Sequence, residues 1–509
     1  MSNDLLALSA VELRRRIGAR QLSPVELLDA CIARIESLNP YVNAICATDF
    51  ERARVAARAA ETAVLRGDAL GPLHGLPLGV KDLQDTEGLL TTYGNVGYRH
   101  HVPARDNGLV TRLKRAGAIV TAKTNVPDMG AGANTRNPVW GATGNPFNPA
   151  LNAGGSSGGS AAALACDMLP LCTGSDTGGS LRIPAALCGV VGLRPSPGLV
   201  GNDARPLGWS VISVLGPMGR TVADTAFMLQ ACTGLDAQDP LTYTPVESSW
   251  PLAVADLSSL SVGYTEDFGV CPVDPIVREA FRARVDALRS LVAACEPVTL
   301  GTREADRVFD ILRAEAFLAA YGDTYRTAPE SLGPNVLANV QMAAAITLAD
   351  RAWAHSEQTR IARSFAQACE RYDFIVAPVT PISPFPWTEL YASEVDGVPA
   401  RNYYHWLSLT YLVTLATNPA LSLPCGLDAR GMPFGLQMIG RLRGDTALLA
   451  AAQALERAWA GNAALRRPSP DLAALRRSTV DLKSPVTAPP LAEGGAPPST
   501  QGGGAATAV

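Results

Sequence analysis

From about residue 43 onward, short apolar runs rich in β-branched residues alternate with longer segments whose apolar positions recur at helical spacing. NAICATD, LPLGVKD, AIVTAKT, LPLCTGSD, VVGLRP, SVGYTED, DFIVAPV, ALSLP and PFGLQMIG read as strands, with helices ending near Gly67, at about 108–116 and at about 274–294. Such alternation predicts an α/β fold layered around one large, mostly buried sheet. Before the first strand, Ser23-Pro24-Val25-Glu26 is a capping box, and Leu28, Cys31, Ile32, Ile35 and Leu38 follow at helical spacing. The segment 301–372 is helical in pattern and interrupts the strand series, so it is expected to cap one side of the sheet and shape a pocket. No internal repeat is apparent. From Arg466 the composition turns to Pro, Gly, Ser, Thr and Ala, which predicts a catalytic domain over 1–465 followed by a disordered tail over 466–509.

Composition narrows the function classes. With 509 residues, 47% of them hydrophobic, and a net charge of −4, the chain reads as a soluble globular protein. Its basic residues are dispersed, and Arg14-Arg15-Arg16 fits the solvated face of an amphipathic helix, so no nucleic-acid partner is expected. The weakly polar run Ser160–Cys172 contains Asp167 and is too short to span a bilayer, which argues against a membrane partner. At the N-terminus the charges follow the apolar residues, the reverse of a secretory signal, and a cytoplasmic location is expected. The ten cysteines are scattered without a C-x-x-C pair, as buried small hydrophobes in a reducing compartment would be. Neither a metal nor a cofactor is expected.

The candidate chemistry lies in two glycine-embedded serines, Ser156 and Ser180. Gly154-Gly155-Ser156-Ser157-Gly158 formally matches G-x-S-x-G, but a nucleophile elbow must directly follow a strand. NPFNPALNA, which precedes it, holds Pro146 and Pro149 and reads as loop. The only downstream histidines, His355 and His405, sit in helical patterns. Gly174-Ser175-Asp176-Thr177-Gly178-Gly179-Ser180, by contrast, follows an apolar strand and precedes a short helix. There several N–H groups can converge on one point, and Ser180 is the better nucleophile. Lys81 ends the apolar strand LPLGVKD, where burial would lower its pKa from the usual value of about 10.4.

The stretch Gly154–Pro195, GGSSGGSAAA…GSDTGGSLRIPAALCGVVGLRP, together with LHGLPLGVKD, TAKTNVPD, NPVWGATGNPFNP and GPMGRTVADTAFML, resembles the amidase signature family over most of 1–465. The resemblance implies an α/β/α fold with a large mixed sheet and a Ser–cis-Ser–Lys triad. Ser180 would be the nucleophile, Ser156 the bridging serine after a cis peptide bond, and Lys81 the base. The backbone amides of Thr177, Gly178, Gly179 and Ser180 would form the oxyanion hole. Neutral Lys81 would deprotonate Ser156, which would take the proton of Ser180 as it attacks the carbonyl. Gly155 eases the cis bond sterically, Asp176 is expected to accept hydrogen bonds from the loop, and Arg182 to anchor that loop from the other side. The implied reaction is hydrolysis of a small-molecule carboxylic amide through an acyl-enzyme, with esters or carbamates as side substrates. Similar enzymes are commonly homodimers. With all three triad positions intact, a scaffold that has lost its chemistry is set aside.

Within the same resemblance, the glutamine-hydrolysing A subunit of the tRNA-dependent amidotransferase is the alternative. It usually carries glutamine after the arginine of the second motif. Here Ile183 holds that place and cannot hydrogen-bond a glutamine side chain, which favours an independent hydrolase acting on an apolar or aryl acyl group. Tyr403, Tyr404, His405 and Trp406 form an aromatic cluster, which reads equally as the lining of an acyl pocket, through Tyr404 and Trp406, or as ordinary helix packing.

Overall fold

The computed structural model describes residues 5–246 and 250–483. Eleven strands form one mixed sheet: β1 Ile45–Thr48, β2 Pro77–Lys81, β3 Ile119–Thr124, β4 Leu171–Asp176, β5 Val191–Arg194, β6 Val214–Gly219, β7 Ser261–Tyr264, β8 Ala294–Pro297, β9 Phe374–Pro378, β10 Ala420–Leu427 and β11 Pro433–Gly440. Their order across the sheet is β1-β3-β2-β4-β6-β5-β10-β11-β9-β7-β8. β2 runs parallel to both β3 and β4, whereas β6, β5, β10, β11 and β9 pair antiparallel in succession. This is the layered α/β fold around one large sheet that the alternating pattern predicts, and the sheet is mixed as the family resemblance implies.

Two strands escape a propensity reading. β6, VLGPMG, carries two glycines and a proline, yet all six residues are buried between β4 and β5, and Pro217 is paired with Thr173. At Gly216 a Cβ would lie 2.4 Å from the Leu193 carbonyl oxygen, so close packing of strands overrides strand propensity there. β8 begins where the helix expected at about 274–294 is to end and is absent from the strand reading; that helix, Pro275–Arg289, stops earlier, and a short edge strand follows. NPFNPALNA is likewise not simply loop. Gly144–Asn145 and Asn148–Asn152 pair in a separate two-stranded ladder, still outside the large sheet.

The helices that position the site are α1 Gly158–Ala165, α2 Arg182–Cys188, α3 Ala305–Thr327, α4 Pro334–Ala343, α5 Leu348–Arg371 and α6 Ser408–Ala416. α1 is buried throughout and covers β2, β3 and β4. α3, α4 and α5 make up the expected helical cap, and α3 and α5 pack on α6. The N-terminal helix Pro24–Val42 starts at the capping box: Ser23 Oγ accepts from Glu26 N, and Glu26 returns a bond to Ser23 N.

The boundary expected at residue 466 is corrected for its first part. Arg466 O accepts from Gly426 N at 3.1 Å, Leu475 is buried in the short helix Leu472–Leu475, and Leu482 is buried with its carbonyl accepting from Ala142 N at 2.8 Å. Two leucines spaced to reach apolar surface outweigh a loop-like composition. The remainder of the expected tail, 484–509, lies outside the described residues. Leu475→Ala and Leu482→Ala should each lower unfolding free energy by about 2–4 kcal/mol in urea denaturation, as buried leucine truncations do.

Candidate active site

Parallel pairing brings the ends of β2 and β4 to one edge of the sheet. Leu78 and Gly79 pair with Leu171 and Cys172, and the Lys81 N–H donates to Thr173 Oγ1 at 2.9 Å. Lys81 therefore emerges beside the loop that follows β4. α1 runs over the same strands, with Ser160 Oγ bonded to Thr124 Oγ1 at 2.7 Å and to Thr173 O at 2.8 Å, so the Ser156-Ser157 turn before α1 arrives at the same place. At Gly159 a Cβ would lie 2.2 Å from Asn125 N, and only glycine permits that approach.

Lys81 is completely buried. Its Nζ lies at hydrogen-bond distance from three hydroxyls, Ser156 Oγ at 2.7 Å, Ser157 Oγ at 2.8 Å and Ser175 Oγ at 2.8 Å. Burial lowers its pKa from 10.5 to about 7, against a smaller upward pull from Asp176. A neutral amine has two N–H groups and one lone pair, so three hydroxyls at hydrogen-bond distance fill all its positions. The Gly155–Ser156 peptide bond is cis. Ser157 N donates to Ser180 O at 3.2 Å, which ties the two serine loops together, and Ser180 itself is half-buried.

Asp176, at the end of β4, organises the Ser180 loop. It accepts from Gly179 N at 2.9 Å and Leu181 N at 3.2 Å. Arg182 forks onto it through Nε and Nη2, both at 3.0 Å, and Arg194 Nη1 bonds its backbone oxygen at 2.8 Å and its Oδ1 at 3.3 Å. Burial would raise the carboxyl pKa, but the two guanidinium groups outweigh it and hold Asp176 ionised, well below the usual carboxylate range. Arg182 continues to Gln437 Oε1 on β11 and Thr414 Oγ1 on α6.

The four amides expected to line an oxyanion hole are not equivalent. The Gly179 N–H donates to Asp176, while Thr177, Gly178 and Ser180 donate to no acceptor among the described residues. Gly179 matters instead through its conformation: its φ is +120°, and a Cβ would lie 2.3 Å from Thr410 Oγ1. Thr410 Oγ1 in turn donates to Gly178 O at 2.6 Å.

The candidate pocket residues divide. Ile183 is buried on α2 against Gly179. Tyr404 is buried, and its hydroxyl donates to Asp310 at 2.6 Å. Trp406 packs edge-on against Phe385, and its Nε1 has no acceptor among the described residues. His355 and His405 face Glu315 and Asp306 rather than a serine. Among the described residues, no group of three His, Cys, Asp or Glu side chains could hold a metal. Sequence reasoning missed Ser157, Ser175, Arg194, Thr410 and Phe309. The first three stand inside quoted motifs; Thr410 and Phe309, whose Cζ lies 3.2 Å from where a Gly178 Cβ would be, reach the site only through folding.

Comparison with known proteins gives the family. Residues 26–449 match the Amidase family model. The chain belongs to the amidase signature family. It is 33% identical to an acylamidase of Rhodococcus erythropolis over 89% of this chain and 96% of that protein. It is 35% identical to the A subunit of glutamyl-tRNA(Gln) amidotransferase from a Roseiflexus species, over 88% and 96% of the two chains. The crystal structure of a bacterial aryl acylamidase of the amidase signature family superimposes with a TM-score of 0.83 at 27% identity, covering 89% of this chain and 96% of the other.

Asp176→Ala would leave Arg182 and Arg194 buried without their counter-charge. It should lower unfolding free energy by about 3–5 kcal/mol, measured by chemical denaturation.

Proposed function

We propose that this chain is an amidase that hydrolyses a small carboxylic amide to acid and amine, or ammonia, through an ester on Ser180. The observation that carries this reading is the contact of the completely buried Lys81, through Nζ, with Ser156 Oγ at 2.7 Å. Neutral Lys81 accepts the Ser156 proton as Ser156 takes that of Ser180, and Ser180 Oγ bonds to the amide carbon. The Thr177, Gly178 and Ser180 N–H groups stabilise the resulting oxyanion. When the intermediate collapses, the C–N bond breaks and the relayed proton passes to the leaving nitrogen. Water repeats the sequence on the acyl-enzyme and releases the acid. Nothing in this relay requires nitrogen in the leaving group, so aryl esters and carbamates are side substrates.

The apolar contacts of the Ser180 loop support an apolar or aryl acyl group: Ile183 lies against Gly179, and Phe309 and Leu407 against Gly178. The ten cysteines are all unpaired, which supports a reducing, cytoplasmic setting, and no helix among the described residues is long and apolar enough to cross a membrane.

The 35% identity to an amidotransferase component favours a second reading, glutamine hydrolysis within a larger assembly. Hydrolysis of an aryl anilide by the purified chain alone supports the first reading; glutaminase activity that appears only with partner proteins supports the second.

Ser180→Ala should abolish anilide hydrolysis. Because Lys81 acts unprotonated, kcat/KM should fall about tenfold per pH unit below its pKa of about 7 and level off above it. Lys81→Met should fold and lose this activity. An intact acidic limb in a pH–rate profile of Lys81→Met, with most activity retained, would falsify the triad.

A further inference from the structure

Arg313, on α3, is buried among four aromatic rings. Its guanidinium carbon lies 4.6 Å from the ring centre of Phe317, 5.1 Å from Tyr404, 5.5 Å from Tyr403 and 5.8 Å from Phe309. It forms no ion pair among the described residues, and its Nε–H has no acceptor there. Of the other four buried arginines, three have a counter-charge and the fourth has carbonyl acceptors, although Arg194 Nε also lacks an acceptor among the described residues. Arg182 and Arg194 meet Asp176, Arg220 meets Asp167, and Arg284 donates to the carbonyls of Ala280, Cys425 and Leu427. A buried cation without a counter-charge is unfavourable, and aromatic faces offset only part of that cost.

Arg313 Nη2 donates to the Tyr403 hydroxyl, to which Asn339 Nδ2 also donates at 2.7 Å. With both lone pairs of that oxygen occupied, its own O–H must be donated elsewhere. Asn339 Oδ1 has no donor among the described residues. Two donors and one acceptor thus stand unmatched around a fixed positive charge. Asp310, one turn earlier on α3, is already engaged by Tyr404 at 2.6 Å and Arg401 at 3.4 Å.

This cluster adjoins the Ser180 loop. Phe309 lies one helical turn, about 6 Å, before Arg313 on the same face of α3, and it is the ring that abuts Gly178. Tyr403 leads into α6, whose Thr410 holds the Gly178 carbonyl.

We propose that Arg313 and Tyr403 recognise a carboxylate at the far end of the acyl group, so that the substrates are amides of acids carrying a second carboxyl group across an apolar spacer. The guanidinium fork matches a carboxylate bidentately. The spacer lies against the apolar side chains near Gly178 and Gly179. The inference rests on the amidase reading of Ser180.

The test compares succinyl, glutaryl and adipyl 4-nitroanilides with the uncharged acyl 4-nitroanilides of equal chain length. The wild-type enzyme should favour at least one carboxylated member by about tenfold or more in kcat/KM, mainly through KM, as a charged hydrogen-bonded pair requires. Arg313→Met should cut that ratio about tenfold, with Arg313→Lys falling between. Should Arg313→Met not fold, Tyr403→Phe keeps the ring, removes the donor and should also lower the ratio. Independently of turnover, succinate, glutarate or adipate should raise the melting temperature of Ser180→Ala, and Arg313→Lys in that background should diminish the rise. Equal or poorer use of every carboxylated anilide, or a ratio unchanged in the folded variants, overturns the proposal, as does the absence of any dicarboxylate effect on melting. If no anilide is hydrolysed while the dicarboxylate effect persists and depends on Arg313, the amidase reading fails and the carboxylate site stands.

Discussion

The buried carboxylate of Asp176 is the constraint on which the rest of the site depends. It sits where β4 ends, binds the Gly179 and Leu181 amides, and receives Arg182 from α2 and Arg194 from β5. Arg182 extends the network to α6 and β11. A loop that turns between a strand and a helix would otherwise leave its amides unpaired in the interior, where an unsatisfied polar group costs about 1–3 kcal/mol. Two guanidinium groups on one carboxylate keep it charged, and its fixed direction orients the loop that carries Ser180.

Lys81 is the opposite case. It too is wholly buried, yet no carboxylate among the described residues forms an ion pair with it, and three hydroxyls at 2.7–2.8 Å surround its nitrogen. Hydroxyls can hydrogen-bond the neutral amine as well as the ammonium, so they do not compensate for the loss of hydration that favours the neutral form. Two buried ionisable groups on neighbouring strands are thereby driven apart: an acid that keeps its charge and a lysine that gives it up near neutral pH. Arg313 sets a third balance, a cation surrounded by rings rather than by anions.

Residues that act through local backbone geometry are recognisable from the chain alone. Ser156 and Ser180 stand among glycines, and Lys81 ends an apolar strand; each lies where the structure brings the three segments together. Ser157 and Ser175 belong to the same motifs but carry no separate signal, because serine in a glycine-rich turn is commonplace, and only the position of Lys81 Nζ distinguishes them. Local grounds point the Gly179 amide at an oxyanion just as they do its neighbours, whereas Asp176 holds it. β6 is hidden by Gly216 and Pro217, which pack between strands from elsewhere in the chain. Composition places Leu475 and Leu482 in a tail because it does not register the apolar surface that receives them.

The amino-acid sequence by itself determined the layered α/β class and most strands of the sheet, and its motifs carry the family resemblance that singles out the two serines and the lysine. These follow from periodicity, capping and motif spacing, which are properties of neighbouring residues. Tertiary structure alone decided which amides are free, which hydroxyls surround Lys81, and that Phe309 stands next to a loop some 130 residues away in the chain. Hydrogen bonding and desolvation act over a few ångströms in space, and spacing along the chain carries no record of such distances until the sheet and its helical cap have closed around the site.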